Sequence, residues 1–246
     1  MKRKIIVIGM LAGLAAGCSQ ENAPSEKLAE EATEIVKAAA GEQTAELDAA
    51  APGPWAPRDE CGKLEGAEPF LAMLRGAVEA RDPQALGTLV ADDVKLDFGG
   101  GAGREELLAR LETAEGLSWD TMASMLALGC SANAQGGLTI PWYFDQEMAV
   151  DPYAGMIVTG ENIPMRETAS EDAPVIDRLS WEAVEVIFET DNRVEGWRHV
   201  RLPATETQAE RDGWIEVRNL RAVLDYRLIA SSRNGRWRIT ALIAGD

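Results

Sequence analysis

Apolar residues first recur at helical spacing in the stretch GAEPFLAMLRGAVEA. Phe70, Leu71, Leu74 and Val78, with Ala77, fall on one side of a helix. Asp82-Pro83 then starts a second helix, because Asp caps free N–H groups and Pro suits the first helical position. Leu86, Leu89 and Val90 face its core. The period next changes to two: Val94, Leu96 and Phe98 alternate with Lys95 and Asp97, the signature of a strand. Gly99-Gly100-Gly101 ends that strand. The run lacks a following Lys-Ser/Thr and any GxGxxG spacing, so it reads as a turn and not as a phosphate cradle. REELLARLETA places Leu107, Leu108 and Leu111 inside a third helix, WDTMASMLALGC reads as a fourth, and GGLTIPWYFDQ as a strand. Beyond Met156 the apolar runs become short and are broken by turn signals about every ten residues, which suggests a small all-β barrel. The chain closes on RLIASSRNGRWRITALIA, a hairpin around Asn234-Gly235 with Trp237, Ile239, Ala241 and Ile243 on one face.

A hairpin alone is marginal in water. The helices of the first region have too little sheet to cover them, so the hairpin is expected to complete their sheet. The segment before it is then an insertion. Two domains in series, with the hairpin packed on the barrel, is the alternative. The expected fold class is α+β, with helices on a curved antiparallel sheet plus a small barrel.

The N-terminus changes the picture of where this body sits. Lys2, Arg3 and Lys4 precede an apolar run from Ile5 to Ala16, then Gly17-Cys18, the layout of an export signal. The run is shorter than the roughly 20 apolar residues a membrane span needs. Residues 19–58 read as a tether, with one marginal helix from Ser25 to Gly41 and then a Pro/Ala/acidic linker. The 246 residues carry a formal net charge of −17. Such a balance gives no electrostatic footprint for nucleic acid and no polybasic attraction to anionic lipid.

Three segments of the chain resemble known families. Leu14-Ala15-Ala16-Gly17-Cys18 resembles the lipobox of bacterial lipoproteins, which implies cleavage after residue 17 and lipidation of Cys18. With Ser19 next, the resemblance implies the periplasmic face of the outer membrane. Of the three cysteines, Cys61 and Cys130 then remain as one pair for a disulfide, or as two buried thiols. The order helix, ARDPQALGTLVADDVKLDF, strand resembles the opening of the nuclear-transport-factor-like (cystatin-like cone) superfamily. That resemblance implies a cone cavity, which Asp97, Tyr143, Tyr226 and Trp237 would line.

Asn162-Ile163-Pro164-Met165-Arg166, Ala173-Pro174-Val175-Ile176, Gly196-Trp197-Arg198-His199-Val200 and Gly213-Trp214-Ile215 recur in the order of bacterial SH3-like (SH3b) domains. Pro164 departs from that pattern, and Trp181 stands where the family has a turn Gly. The implied domains are a signal peptide at 1–17, a tether at 18–58, a cone-like domain at 59–151 plus 222–246, and an SH3-like barrel at 152–221. The family binds peptides or cell-wall fragments through aromatic grooves. Trp181 is expected to be exposed in such a groove, and Trp197 and Trp214 to be barrel core or groove.

No HExxH, GxSxG or Cys/His ligand cluster is present, and the lone histidine, His199, falls on a strand surface. The expectation is therefore a non-enzymatic envelope lipoprotein with no cofactor and no metal. Its partners would be the membrane, through Cys18, and peptidoglycan or an envelope protein, through the SH3-like domain. The alternative is a cone-fold small-molecule-binding or enzymatic domain, with the SH3-like module as accessory.

Overall fold

In the computed structural model, residues 53–113, 116–188, 194–206 and 208–245 are described. The expected export signal, Cys18, the helix expected from Ser25 and the linker up to residue 52 lie outside the described residues. No helix among the described residues is long and apolar enough to cross a membrane.

Among the described residues the fold is α+β, with four α-helices and two mostly antiparallel sheets. Helix α1 (Ala67–Glu79) buries Phe70, Leu71, Leu74, Ala77 and Val78, the face that the spacing predicts. Helix α2 (Pro83–Leu89) starts where Asp82 accepts hydrogen bonds from the Gln84 and Ala85 N–H groups, with Pro83 in its first turn. Helix α3 (Arg104–Leu111) buries Leu107 and Leu111, and α4 (Trp119–Leu126) is capped by Ser118. All four contribute to one apolar core.

The first sheet runs β1-β3-β4-β12-β13-β2. Its strands are β1 (Arg58–Asp59), β2 (Val90–Lys95), β3 (Gly129–Ala132), β4 (Leu138–Ile140), β12 (Arg227–Arg233) and β13 (Arg236–Ile243). The terminal hairpin lies in the middle of this sheet. Leu228 of β12 pairs with Ile140, and Ile239 of β13 pairs with Val90. Asn234 and Gly235, with φ of 52° and 73°, make the tight turn that suits strand twist. Trp237 and Ile239 face the helices, but a register shift at Thr240 brings Leu242 into that core and turns Ala241 and Ile243, expected on the same face, away from it. Trp237 stacks on Phe70 at 6.0 Å and donates its indole N–H to the Glu65 carbonyl at 2.9 Å. Cys61 and Cys130, both fully buried, form a disulfide. It fastens the start of the body to β3 beside the β1–β3 ladder.

Two details depart from the sequence pattern. Strand β2 stops at Lys95, and Phe98 is exposed because the chain reverses after Leu96, whose N–H donates to the Gly101 carbonyl. The strand expected over residues 136–146 stops at Ile140, and Trp142–Asp145 form a 3-10 turn.

The second sheet runs β11-β5-β8-β9-β10-β6-β7. Its strands are β5 (Gly155–Val158), β6 (Ile163–Arg166), β7 (Val175–Leu179), β8 (Ala183–Val186), β9 (Trp197–Leu202), β10 (Arg211–Glu216) and β11 (Leu220–Ala222). Among the described residues no ladder joins β11 to β7, so the order is open and no closed barrel forms. Pairing of Leu220 with Val158 brings the two ends of this segment together. Its core holds Val158, Met165, Leu179, Val184, Val200 and Ile215.

Candidate functional site on the outer face of the second sheet

Strand alternation gives β9 and β10 two unlike faces. Val200, Leu202, Gly213 and Ile215 are buried on the inner one. Trp197, His199 and Arg201 point the other way. Across the ladder His199 sits opposite Trp214, Trp197 opposite Glu216, and Arg201 opposite Asp212. The His199 and Trp214 rings stack at 4.9 Å with planes 14° apart. Trp197 and Trp214 are thus half-buried surface residues, not core as expected, because Val200 and Ile215 take the inward positions.

Exposed apolar residues gather at one end of the sheet, beside the start of β9. The Ile187 N–H donates to the His199 carbonyl, and the Val186 N–H to the Ala154 carbonyl. Phe188 and Tyr153, 73% and 74% exposed, follow and precede these contacts directly. Val194, also exposed, accepts from the Trp197 N–H through its carbonyl. At the other end the face is ionic. Arg201 donates to Asp212 at 3.1 Å and lies 3.1 Å from Glu210. The bond to Asp212, followed by the charges of Asp212 and Glu210, pushes the guanidinium further up. Flat rings beside fixed charges can hold a ligand with apolar faces and polar edges.

Trp181 lies elsewhere. Its φ is +53°, a left-handed conformation that explains why glycine suits such a position. Its side chain is half-buried in the seam between the sheets, against the cluster of Leu128, Trp142, Tyr143 and Ile157, so it does not stand exposed in a groove. Its carbonyl accepts from the Trp55 N–H at 3.0 Å. Arg221 ties the same seam. It donates to the Tyr143 hydroxyl at 3.1 Å and to the Tyr226 carbonyl at 2.7 Å, and pairs with Asp225 at 3.2 Å. Burial pushes the Tyr143 hydroxyl above the usual phenol range, partly offset by Arg221.

The four residues expected to line a cone occupy different places. Trp237 is in the helix-sheet core, Tyr226 at its fringe and Tyr143 in the seam. Asp97 is part-exposed in the turn after β2. Its carboxylate accepts from the Gly99 and Gly101 N–H groups at 2.9 and 2.7 Å and from Arg110 at 2.7 Å. The Arg110 bond comes first among the causes that hold Asp97 below the usual carboxylate range. The glycine run therefore turns its amides onto its own aspartate. A Cβ at Gly101 would come 2.1 Å from Asp97 Oδ2, so a side chain there would displace the Asp97–Arg110 pair.

Among the described residues, Asp59, Cys61 and Cys130 group at ligand distance, but the two sulfurs are bonded to each other and neither is a thiolate. No protein-family model matches the chain, and no curated protein matches it.

Proposed function

We propose that this chain is a non-enzymatic, lipid-anchored protein of the cell envelope that holds peptidoglycan on the outer face of an SH3-like module. The observation that carries the reading is the stacked His199–Trp214 pair beside Trp197, with exposed Tyr153 and Phe188 at the same end of the sheet. A pyranose ring presents C–H groups on its flat face, which suit the electron-rich face of an aromatic ring. Arg201, Asp212 and Glu216 supply polar partners for hydroxyls and stem-peptide charges. The inner face of the same sheet is filled by its own core, and β5 is covered on its other side at Ile157, so the outer face over β9 and β10 is the part open to a ligand. The segment repeats in order across residues 152–221 that resemble SH3b domains support the module, and the lipobox-like stretch ending at Cys18 supports the anchor. A lipid at Cys18, followed by a tether to residue 58, would let the body reach the wall from the membrane. In this reading the first sheet and its helices form the cone-like domain that carries the module.

The test is co-sedimentation of the full chain with purified sacculi. The wild type is expected in the pellet. Trp214→Ala should weaken retention by roughly thirtyfold, since removing a central aromatic anchor costs about 2 kcal/mol or more. Trp181→Ala should lose stability but keep retention while folded, because its side chain is in the seam. A wild type that stays in the supernatant, or a Trp214→Ala variant retained like the wild type, overturns the reading.

A further inference from the structure

The first sheet carries a cationic cleft on an otherwise acidic protein. The cleft encloses about 440 Å³ and is lined by Arg104, Arg233, Arg236 and Arg238 with only Asp92 and Asp93 as acids. That is a local positive surplus in a chain of net charge −17. The hairpin turn fixes it. Arg233 and Arg236 stand directly opposite each other on β12 and β13, and Arg238 lies opposite Ser231 on the same face. Like charges directly opposite in a ladder destabilise it. Among the described residues neither Arg233 nor Arg236 makes an ion pair. Arg104 reaches the cleft from the first residue of α3, donating to the Val90 carbonyl at 3.0 Å and pairing with Asp92 at 2.5 Å. Asp92 is 89% exposed, so it can swing away from an incoming anion.

We propose that this cleft is a binding site for a phosphate-bearing anion, held by Arg104, Arg233, Arg236 and Arg238. A carboxylate has two oxygens and is saturated by one or two guanidinium forks. A phosphate offers three or four acceptor oxygens in different directions and matches several forks at once. Ser231 in the lining carries a hydroxyl able to donate to a remaining oxygen. A second hollow of about 510 Å³ adjoins across Arg104 and Arg238, lined by Gln84, Thr88 and Leu108 among others. It gives room for the organic part of a phosphate ester. The anion relieves the repulsion between Arg233 and Arg236, so binding and hairpin stability are linked. The site uses no residue of the aromatic face, so its failure would leave the sacculus reading untouched.

The test is calorimetric titration of the full chain with inorganic pyrophosphate. Saturable binding that weakens at high salt is expected. Arg236→Gln and Arg238→Gln should each weaken it about ten- to a hundredfold, the effect of losing a hydrogen bond to a charged group. Arg178→Gln, on β7 of the other sheet, should change nothing. Arg236→Gln should also raise the unliganded melting temperature while reducing the rise that a given pyrophosphate concentration causes, an outcome that a merely structural arginine would not give.

A parallel arm compares vesicles of phosphatidylcholine with vesicles that also contain phosphatidic acid. Tighter, Arg236-dependent retention on the phosphatidic acid vesicles, without pyrophosphate binding, assigns the phosphate to a lipid headgroup. Pyrophosphate binding without that preference assigns it to a soluble ligand. No response to either, or an Arg236→Gln variant that binds both like the wild type, overturns the proposal.

Discussion

Trp237→Ala is expected to lower the stability of the body by about 3–5 kcal/mol, the range for removing a large buried aromatic. Trp237 is 6% exposed, stacks on Phe70 of α1 and satisfies the Glu65 carbonyl. It is therefore the point where the last strand of the chain grips the first helix. Alanine would leave a cavity between them and an unpaired carbonyl beside it. Trp237→Phe restores most of the volume and loses only the indole donor, so a smaller loss of about 1–2 kcal/mol is expected. Urea unfolding followed by far-ultraviolet circular dichroism separates the cases, because that signal does not depend on the replaced ring. Equal midpoints for wild type and Trp237→Ala would show that the hairpin does not carry the first sheet.

Removing the Cys61–Cys130 bridge is expected to cost a similar amount. The bonded residues are 69 apart in sequence. A loop of that size gives about 4 kcal/mol on the chain-entropy account of crosslinks. The bridge also guards a weak edge: β1 has two residues and, among the described residues, pairs only with β3. The double variant Cys61→Ala/Cys130→Ala should unfold at a much lower urea concentration. Its segment 53–60, held on β3 beside the bridge, should become susceptible to protease before the rest of the body does. Wild type with the bridge reduced should behave like the double variant. Coincident unfolding curves for wild type and double variant would contradict this.

Much of the fold could be read from periodicity. The faces of α1 and α2 follow directly from the spacing of Phe70, Leu74 and Val78 and from the Asp82-Pro83 start, because local capping and amphipathicity decide them. The terminal hairpin was legible from Asn234-Gly235 and the alternation after it. Strand β3 was not, because Gly129–Ala132 is short and its partners, Arg58 and Asp59 on one side and Leu138 on the other, are set by tertiary contact.

The aromatic face shows where motif and physics separate. A Gly-Trp pattern draws Trp197 and Trp214 toward a core. Parity along WRHVRL puts Trp197, His199 and Arg201 on one side and Val200 and Leu202 on the other, and parity decides. The pairing of His199 with Trp214 needs the register between two strands, which a loop of eight residues leaves free in the sequence. The arginine cleft was hidden for the same reason. Arg104 is 129 positions from Arg233, and only the parallel pairing of β13 with β2 brings α3 near the hairpin.

The most direct test of the ligand face uses the indole N–H groups as reporters. The chain has seven tryptophans, each giving one indole resonance in a ¹⁵N-labelled full chain. Soluble peptidoglycan fragments should shift the signals of Trp197 and Trp214 in a saturable way. The signals of Trp237, in the core, and of Trp55, Trp142 and Trp181, in the seam, should stay in place. Shifts confined to the seam tryptophans, or none at saturating fragment, would contradict the account.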